Sequence, residues 1–312
     1  MKKIAITGGF GFIGEKLTNH FLKKNMDVIV LEHPDAVQPD NYPDVEVIPF
    51  DITCEDQDKY PGIDHTDALL HLAAQSSGPR SFSIPATDVK LNILGTLNTI
   101  NFCMKNSIEK VLFASSFVVY GDHPEKEMLD EKTSCCPKSV YAGSKLAAEH
   151  LLANYAGPQG IHWNSLRMFN VYGPGQDITK SDQGVVGIFL NMLLKSNKVD
   201  IKGSLERFRD LVFIDDVISA WDLCLEKGEK NQVYNVGSGT KTTYLELIIT
   251  IAKLLGKQDK LKINELEGTP GDILGCYADV TKISNQLGFK SEYSLEKGLK
   301  NFLTWINQTK II

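Results

Sequence analysis

Met1-Lys-Lys-Ile-Ala-Ile-Thr-Gly-Gly-Phe-Gly-Phe-Ile-Gly14 is the stretch on which the fold turns. A short apolar run, Ile4-Ala5-Ile6, enters a cluster of glycines, and the stretch leaving it carries Ile13, Leu17 and Phe21 four residues apart. That order reads as strand, glycine turn, helix, the context in which a glycine pattern points to a dinucleotide. Gly8, Gly11 and Gly14 stand at G-x-x-G-x-x-G spacing, with Phe12 and Ile13 inside the turn. The first gap is one residue longer than in the commoner G-x-G-x-x-G. Without Cβ atoms the backbone turns sharply and closes on a pyrophosphate, whose charge meets N–H groups at a helix N-terminus. An ordinary strand-to-helix turn can carry three glycines as well, so the remaining sequence has to arbitrate.

Working outward, strand-like runs alternate with helix-like ones. Asp27–Leu31, Val45–Ile48, Ala68–Leu72, Lys110–Ala114 and Trp163–Arg167 read as strands, and residues 88–105 and 140–156 have helical periodicity. Near-continuous apolar runs of this length suit strands buried on both faces. Alternating β and α predicts an α/β fold with a doubly wound parallel (Rossmann) sheet and ligand at the carboxyl ends of its strands. After residue 170 the rhythm changes. Gly173-Pro174-Gly175 breaks the chain, Val185–Leu194 suggests a helix, Leu211–Ile214 another buried strand and Val217–Leu225 the helix behind it. Val233–Val236 is a short strand, and residues 243–255 and 295–306 are amphipathic helices. The expected division is residues 1–170, with a return segment at about 205–235, as the Rossmann unit. Residues 171–204 and 236–312 then make a smaller, discontinuous α/β unit across a cleft.

Composition excludes several classes. A chain of 312 residues with 42% hydrophobic and 23% charged residues is ordinary for a globular protein. A net charge of −6 without long basic runs argues against a nucleic-acid partner. No apolar stretch is long enough to cross a membrane, and a strand beginning at once leaves no room for a leader. The six cysteines have no C-x-x-C spacing, so neither a metal site nor a redox pair is indicated and a cytoplasmic setting is expected.

Glu32 lies 18 residues beyond Gly14, at the end of the second strand. A carboxylate there accepts both ribose hydroxyls of an adenosine and repels a 2′-phosphate, which favours NAD over NADP. Asp51-Ile52 after the third strand is placed to hold the adenine ring. Tyr141-Ala-Gly-Ser-Lys145 puts two side chains on one helical face, a turn apart. Tyrosine is a poor base near neutrality unless a cation stands beside it, and Lys145 supplies one. Ser115-Ser116 ends the fifth strand, where such a sheet presents side chains to ligand.

Five motifs occur in one order: Thr7–Gly14, His71-Leu72-Ala73-Ala74, Ser115-Ser116 ahead of Val119-Tyr120-Gly121, Tyr141-x-x-x-Lys145, and Arg167–Gly175. With Arg209–Asp216, Tyr234–Gly237 and Pro270–Asp272 they extend over nearly the whole chain. The chain resembles the extended short-chain dehydrogenases/reductases, specifically the NAD-dependent nucleotide-sugar epimerases and dehydratases. The resemblance implies Ser116, Tyr141 and Lys145 as the catalytic triad. Leu72, Ala73, Ala74 and Asn92 would stand at the cofactor, and the smaller unit would bind a nucleotide-diphosphate sugar, UDP-hexose above others. On the substrate side it implies Ser76, Arg80, Asn170, Val186, Arg209 and Asp272. Asn92 is equally a helix-packing group, and Arg209 equally a partner for Asp210 or Asp215. Related dehydratases carry an Asp-Glu pair directly after the serine, and here Phe117-Val118 stands there. Neither moves a proton, so the resemblance implies epimerisation, at C4 before other carbons, through a transient 4-keto sugar with Tyr141 as acid and base. A nucleotide-sugar dehydrogenase or reductase, a dehydratase, or an epimerase acting at another carbon stands as the alternative. Thr269 replaces an expected arginine, and Gln75-Ser76-Ser77 stands where epimerases often have a lysine. By the same resemblance, helices 88–105 and 140–156 would pair with their copies in a homodimer.

Overall fold

Seven strands make one parallel sheet: β1 (Lys3–Thr7), β2 (Asp27–Glu32), β3 (Glu46–Pro49), β4 (Ala68–His71), β5 (Lys110–Ser116), β6 (His162–Met168) and β7 (Gln232–Val236). The computed structural model describes residues 3–36, 38–39, 45–180, 184–268 and 274–309. The spatial order is β3-β2-β1-β4-β5-β6-β7. The chain thus starts in the middle of the sheet, winds to one edge, returns and winds to the other. The reversal falls between β1 and β4, and ligands of such sheets bind at the strand ends beside it. Ile4 and Ile6 face one layer with Leu17 and Phe21, while Ala5 faces the other with Phe50, Phe102 and Phe113. Burial on both faces accounts for the unbroken apolar runs.

The smaller part is built on short pairings. Phe208–Phe213 runs parallel to Asn170–Tyr172 and antiparallel to Lys241–Thr243. Lys198–Lys202 pairs with Lys262–Leu266. The strand expected at 211–214 therefore exists but joins this small sheet. Ile214 already opens the helix Ile214–Lys227, and the last strand of the large sheet is Gln232–Val236. The hydrophobic run could not separate these outcomes, because Phe208–Phe213 is buried along its whole length in either sheet.

The periodic stretch 88–105 is a helix in three parts. Pro85–Asp88 is α-helical, Val89–Leu94 forms a π-helical turn, and Gly95–Lys105 resumes the α-helix. Val140–Leu151 likewise runs into a π-turn, Leu152–Ala156. Such turns are rare and cluster at functional sites. The first of them carries Asn92, 2% exposed, into the space behind the helix 140–151.

Candidate active site

The glycine turn is built by close approach. Gly8 has φ +69°, a conformation costly for residues with a Cβ. A Cβ on Gly14 would strike the carbonyl oxygen of Gly8. No side chain caps the helix Phe12–Lys23, whose N-cap is Gly11. Its first N–H groups are therefore left for an anion. Glu32 closes the far side, its carboxylate accepting the Phe10 N–H at 3.2 Å and the His33 N–H at 3.1 Å. Asp51 accepts the N–H and hydroxyl of Thr53 at 2.8 and 2.7 Å. Burial alone would raise its carboxyl, but those bonds hold it below the usual range. A glycine cradle, an open helix N-terminus and a carboxylate at the ribose position fit NAD.

These residues line a cavity of about 1150 Å³ at the carboxyl end of the sheet. Gly8, Gly11, Phe12, Ile13, Gly14, Glu32, Asp51, Ile52, Leu72, Ala73 and Ala74 form one arm. Ser116, Tyr141 and Lys145 lie at its centre, with Ser76, Phe117 and Val118 beside them. The other arm holds Asn170, Gln176, Val186 and Arg209. Two residues anticipated at the site do not line it. Asn92 is buried behind the helix Val140–Leu151, where its carboxamide bonds both backbone groups of Gln75 and the Ser144 hydroxyl. Arg80 sits exposed on the short helix Gly78–Ser83. Asp272 and Thr269 lie outside the described residues.

At the centre, β5 ends in Ser116, whose hydroxyl faces the cavity beside Tyr141 and accepts the Val118 N–H at 3.5 Å. Burial pushes the Tyr141 hydroxyl up to about 12, opposed by the neighbouring Ser116 hydroxyl and reinforced by the charge of Asp88. Burial lowers Lys145 to about 8, while the carboxylates of Asp88 and Glu149 pull it back. Its ammonium lies 4.8 Å from the centroid of the Phe113 ring. Lys145 is thus a cation at neutral pH within a site that resists charge.

His71 is a structural group. Thr7 Oγ1 accepts the N–H groups of Leu72 and Ala73, so its single proton goes to His71 Nδ1 at 2.8 Å. His71 Nε2–H then donates to Thr96 Oγ1 at 3.1 Å, and Thr96 donates to the Asn92 carbonyl at 2.6 Å. Every partner's role is used once, which fixes the tautomer. Burial first, and then the Lys145 charge, holds the imidazole down to about 3, so it is neutral. The His-Leu-Ala-Ala segment is thereby tied to β1 and to the π-turn.

Across the cavity Arg209 Nη1 donates to the carbonyls of Phe208 and Leu274, and its guanidinium lies 5.4 Å from the Tyr244 ring. Asn170 donates to the Asp210 carbonyl at 3.2 Å. Phe117 stacks on Phe169 at 5.1 Å, giving the centre an aromatic wall. Three further residues stand at the site without a sequence signal: Gln176, whose Oε1 is buried without a hydrogen-bond partner, Asp88 and Glu149. None belongs to a spaced motif; only the fold brings them to the site.

A dinucleotide cradle joined to a serine, tyrosine and lysine at a strand end defines an enzyme of the extended short-chain dehydrogenase/reductase class. Residues 4–237 match the model of the NAD dependent epimerase/dehydratase family, and the chain belongs to that family. It is 33% identical over 305 residues to a putative UDP-glucose 4-epimerase of Methanocaldococcus jannaschii, covering 97% of this chain and 98% of that one. Among solved structures it superposes on UDP-glucose 4-epimerase from Thermotoga maritima with UDP-glucose at a TM-score of 0.90, 30% identity and 99% of each chain. The Thermus thermophilus UDP-glucose 4-epimerase complex with NAD gives 0.86 and 30% identity, covering 98% of this chain and 99% of that one. Among the described residues no cluster of His, Cys, Asp or Glu could hold a metal ion, and no helix is long and apolar enough to cross a membrane.

Proposed function

We propose that the protein inverts C4 of a nucleotide-activated hexose, with UDP-glucose and UDP-galactose as the favoured pair. NAD, held by the glycine turn, Glu32 and Asp51, supplies the hydride acceptor and donor. Tyr141 takes the proton of the C4 hydroxyl and later returns it. Ser116 orients the tyrosine oxygen and the reacting sugar oxygen, and Lys145 stabilises the tyrosinate. Arg209 and Asn170, across the cavity, hold the diphosphate, which a guanidinium can meet bidentately. The observation that carries the reading is the wall directly beyond Ser116. Phe117 and Val118 line the cavity there and can neither donate nor accept a proton, so elimination of water has no acid or base in that stretch. The sugar is turned over and reprotonated by the same tyrosine.

We infer further a cytoplasmic homodimer. Val89 is 49% exposed, and Leu94, Leu97 and Leu151 on the helices 85–105 and 140–151 keep part of their surface open, which supports a four-helix contact between two copies.

Proton NMR of UDP-glucose, UDP-galactose and their N-acetylated counterparts, incubated with enzyme and no added nicotinamide, is the test. Appearance of the C4 epimer is expected. A 4-keto-6-deoxy product, or turnover only with stoichiometric NADH release, would replace the reading with a dehydratase or a net dehydrogenase.

A further inference from the structure

Asp88 is a carboxylate with 0% exposure, in the last position of the α-helical segment Pro85–Asp88. Gln75 Nε2 donates to one oxygen at 2.7 Å and Asn92 Nδ2 to the other at 3.2 Å, with the Ser144 hydroxyl at 3.5 Å. All three groups are neutral. A buried carboxylate that lacks a compensating charge is costly, so one that persists has a partner or a task.

Counting buried charges around the site identifies the partner. On the helix Val140–Leu151, Lys145 and Glu149 are 3% and 6% exposed, and on β6 Arg167 is 5% exposed. Glu149 is taken by Arg167, which meets it through two nitrogens at 3.0 and 2.6 Å, and by the Ser115 hydroxyl at 2.5 Å. Among the described residues packed around the helix Val140–Leu151 that leaves Lys145 and Asp88, the buried Arg209 and Asp210 lying across the cavity on the small sheet. Ser144, the residue before Lys145, touches Asp88 and donates to the carbonyl of Tyr141. Among the described residues, the other titratable or charged groups around them are Tyr141, the neutral His71 on β4, the exposed Arg80 on the helix Gly78–Ser83, the exposed Lys90 on the π-turn and the exposed Lys138 on the cavity wall.

We propose that Asp88 is the buried counter-charge of Lys145 and, through it, a positioning residue for the proton carrier Tyr141. The Asp88 carboxylate offsets the charge of Lys145 and keeps it an ammonium, so Tyr141 keeps its proton until a further positive charge arrives beside it. The same carboxylate holds Gln75, whose backbone N–H and carbonyl are clamped by Asn92, and so fixes the loop 72–78 that lines the cavity. Asp88 thus sets the charge and the wall of the site without reaching the substrate.

The role in proton transfer rests on the epimerase reading, and two arms keep the two apart. The first needs no turnover: thermal midpoints of Asp88→Asn, Lys145→Met and the double variant at pH 7. A counter-ion pair predicts a double variant that melts above Lys145→Met, because it no longer buries a lone carboxylate. A double variant that melts no higher than Lys145→Met overturns the pairing, whatever reaction the enzyme performs. If Asp88→Asn fails to fold alone, the comparison of the other two still decides. The second arm is the pH profile of turnover. Removing the anion lets both Lys145 and Tyr141 lose their protons more readily, so both limbs move to lower pH by at least half a unit in Asp88→Asn and stay in place in Asp88→Glu. Uniformly reduced turnover with unmoved limbs would show a purely structural residue and overturn the role in proton transfer.

Discussion

Tyr141 has to give up a proton in a place that opposes the change. Desolvation holds its hydroxyl up to about 12 against an ordinary 10, so the protein alone does not make a base of it. The raised value has a sign for stability. Between pH 10 and 12 the folded chain binds a proton that the unfolded chain has lost, so stability is complete below 10 and falls as pH rises through 12. Two units correspond to about 3 kcal/mol. Tyr141→Phe should therefore lose less stability than wild type between pH 9 and 12, read from urea midpoints across that range. The same substitution removes the acid and base and should lower turnover about 10²- to 10⁴-fold with the fold intact. Turnover within threefold of wild type would exclude Tyr141 as the proton carrier.

At the scale of elements, the helix 140–151 is tied to the sheet by a buried pair. Glu149 on the helix meets Arg167 on β6, whose guanidinium also lies 4.7 Å from the Tyr120 ring. Arg167→Met leaves a carboxylate buried and unpaired and should cost about 3–5 kcal/mol. Glu149→Leu in the same chain should return much of that loss, in urea unfolding followed by far-UV circular dichroism. The glycine turn makes a second case. A Cβ on Gly9 would lie 2.8 and 2.9 Å from the two methyls of Val30 on β2. Gly9→Ala should cost about 1–3 kcal/mol through overpacking. Its cost should shrink in a Val30→Ala background, and equal costs in both backgrounds would place the strain elsewhere. These cases mark what the sequence could carry. Gly8, Gly11, Gly14, Tyr141 and Lys145 are spaced by one turn or one helix, and local spacing is readable. Gly9 stood in plain view in that turn, but its constraint comes from Val30, 21 residues on in the next strand. Asp88, Asn92 and Gln75 meet through a π-turn that helical periodicity does not distinguish from an α-helix. A strand is legible at 211–214, overlapping the actual 208–213, yet its sheet is not, because burial on all sides leaves one apolar pattern for two different partners.

At the scale of the molecule, one cavity spans both sheets, with the glycine turn at one end and Arg209, on the small sheet, at the other. NAD and a nucleotide diphosphate should therefore stabilise through separate halves of the structure. A ligand that binds only the folded state adds about 2.7 kcal/mol at a hundred times its dissociation constant. For a chain somewhat larger than 250 residues each kcal/mol is worth about 2 °C, so each ligand should raise the midpoint by several degrees. Arg209 is the discriminating position. Arg209→Met keeps much of the apolar bulk packed against Tyr244 and removes the guanidinium, so the NAD increment should survive while the UDP increment falls by more than half. Scanning calorimetry of both proteins, with NAD alone and with NAD plus UDP, reads the two increments separately. Loss of both would mean that Arg209 holds the two sheets together rather than the ligand. Retention of both would move the diphosphate to other donors in that arm, of which the N-terminus of the helix Val185–Lys195, without a side-chain cap and beside Gln176, whose Oε1 has no partner, is the next to test.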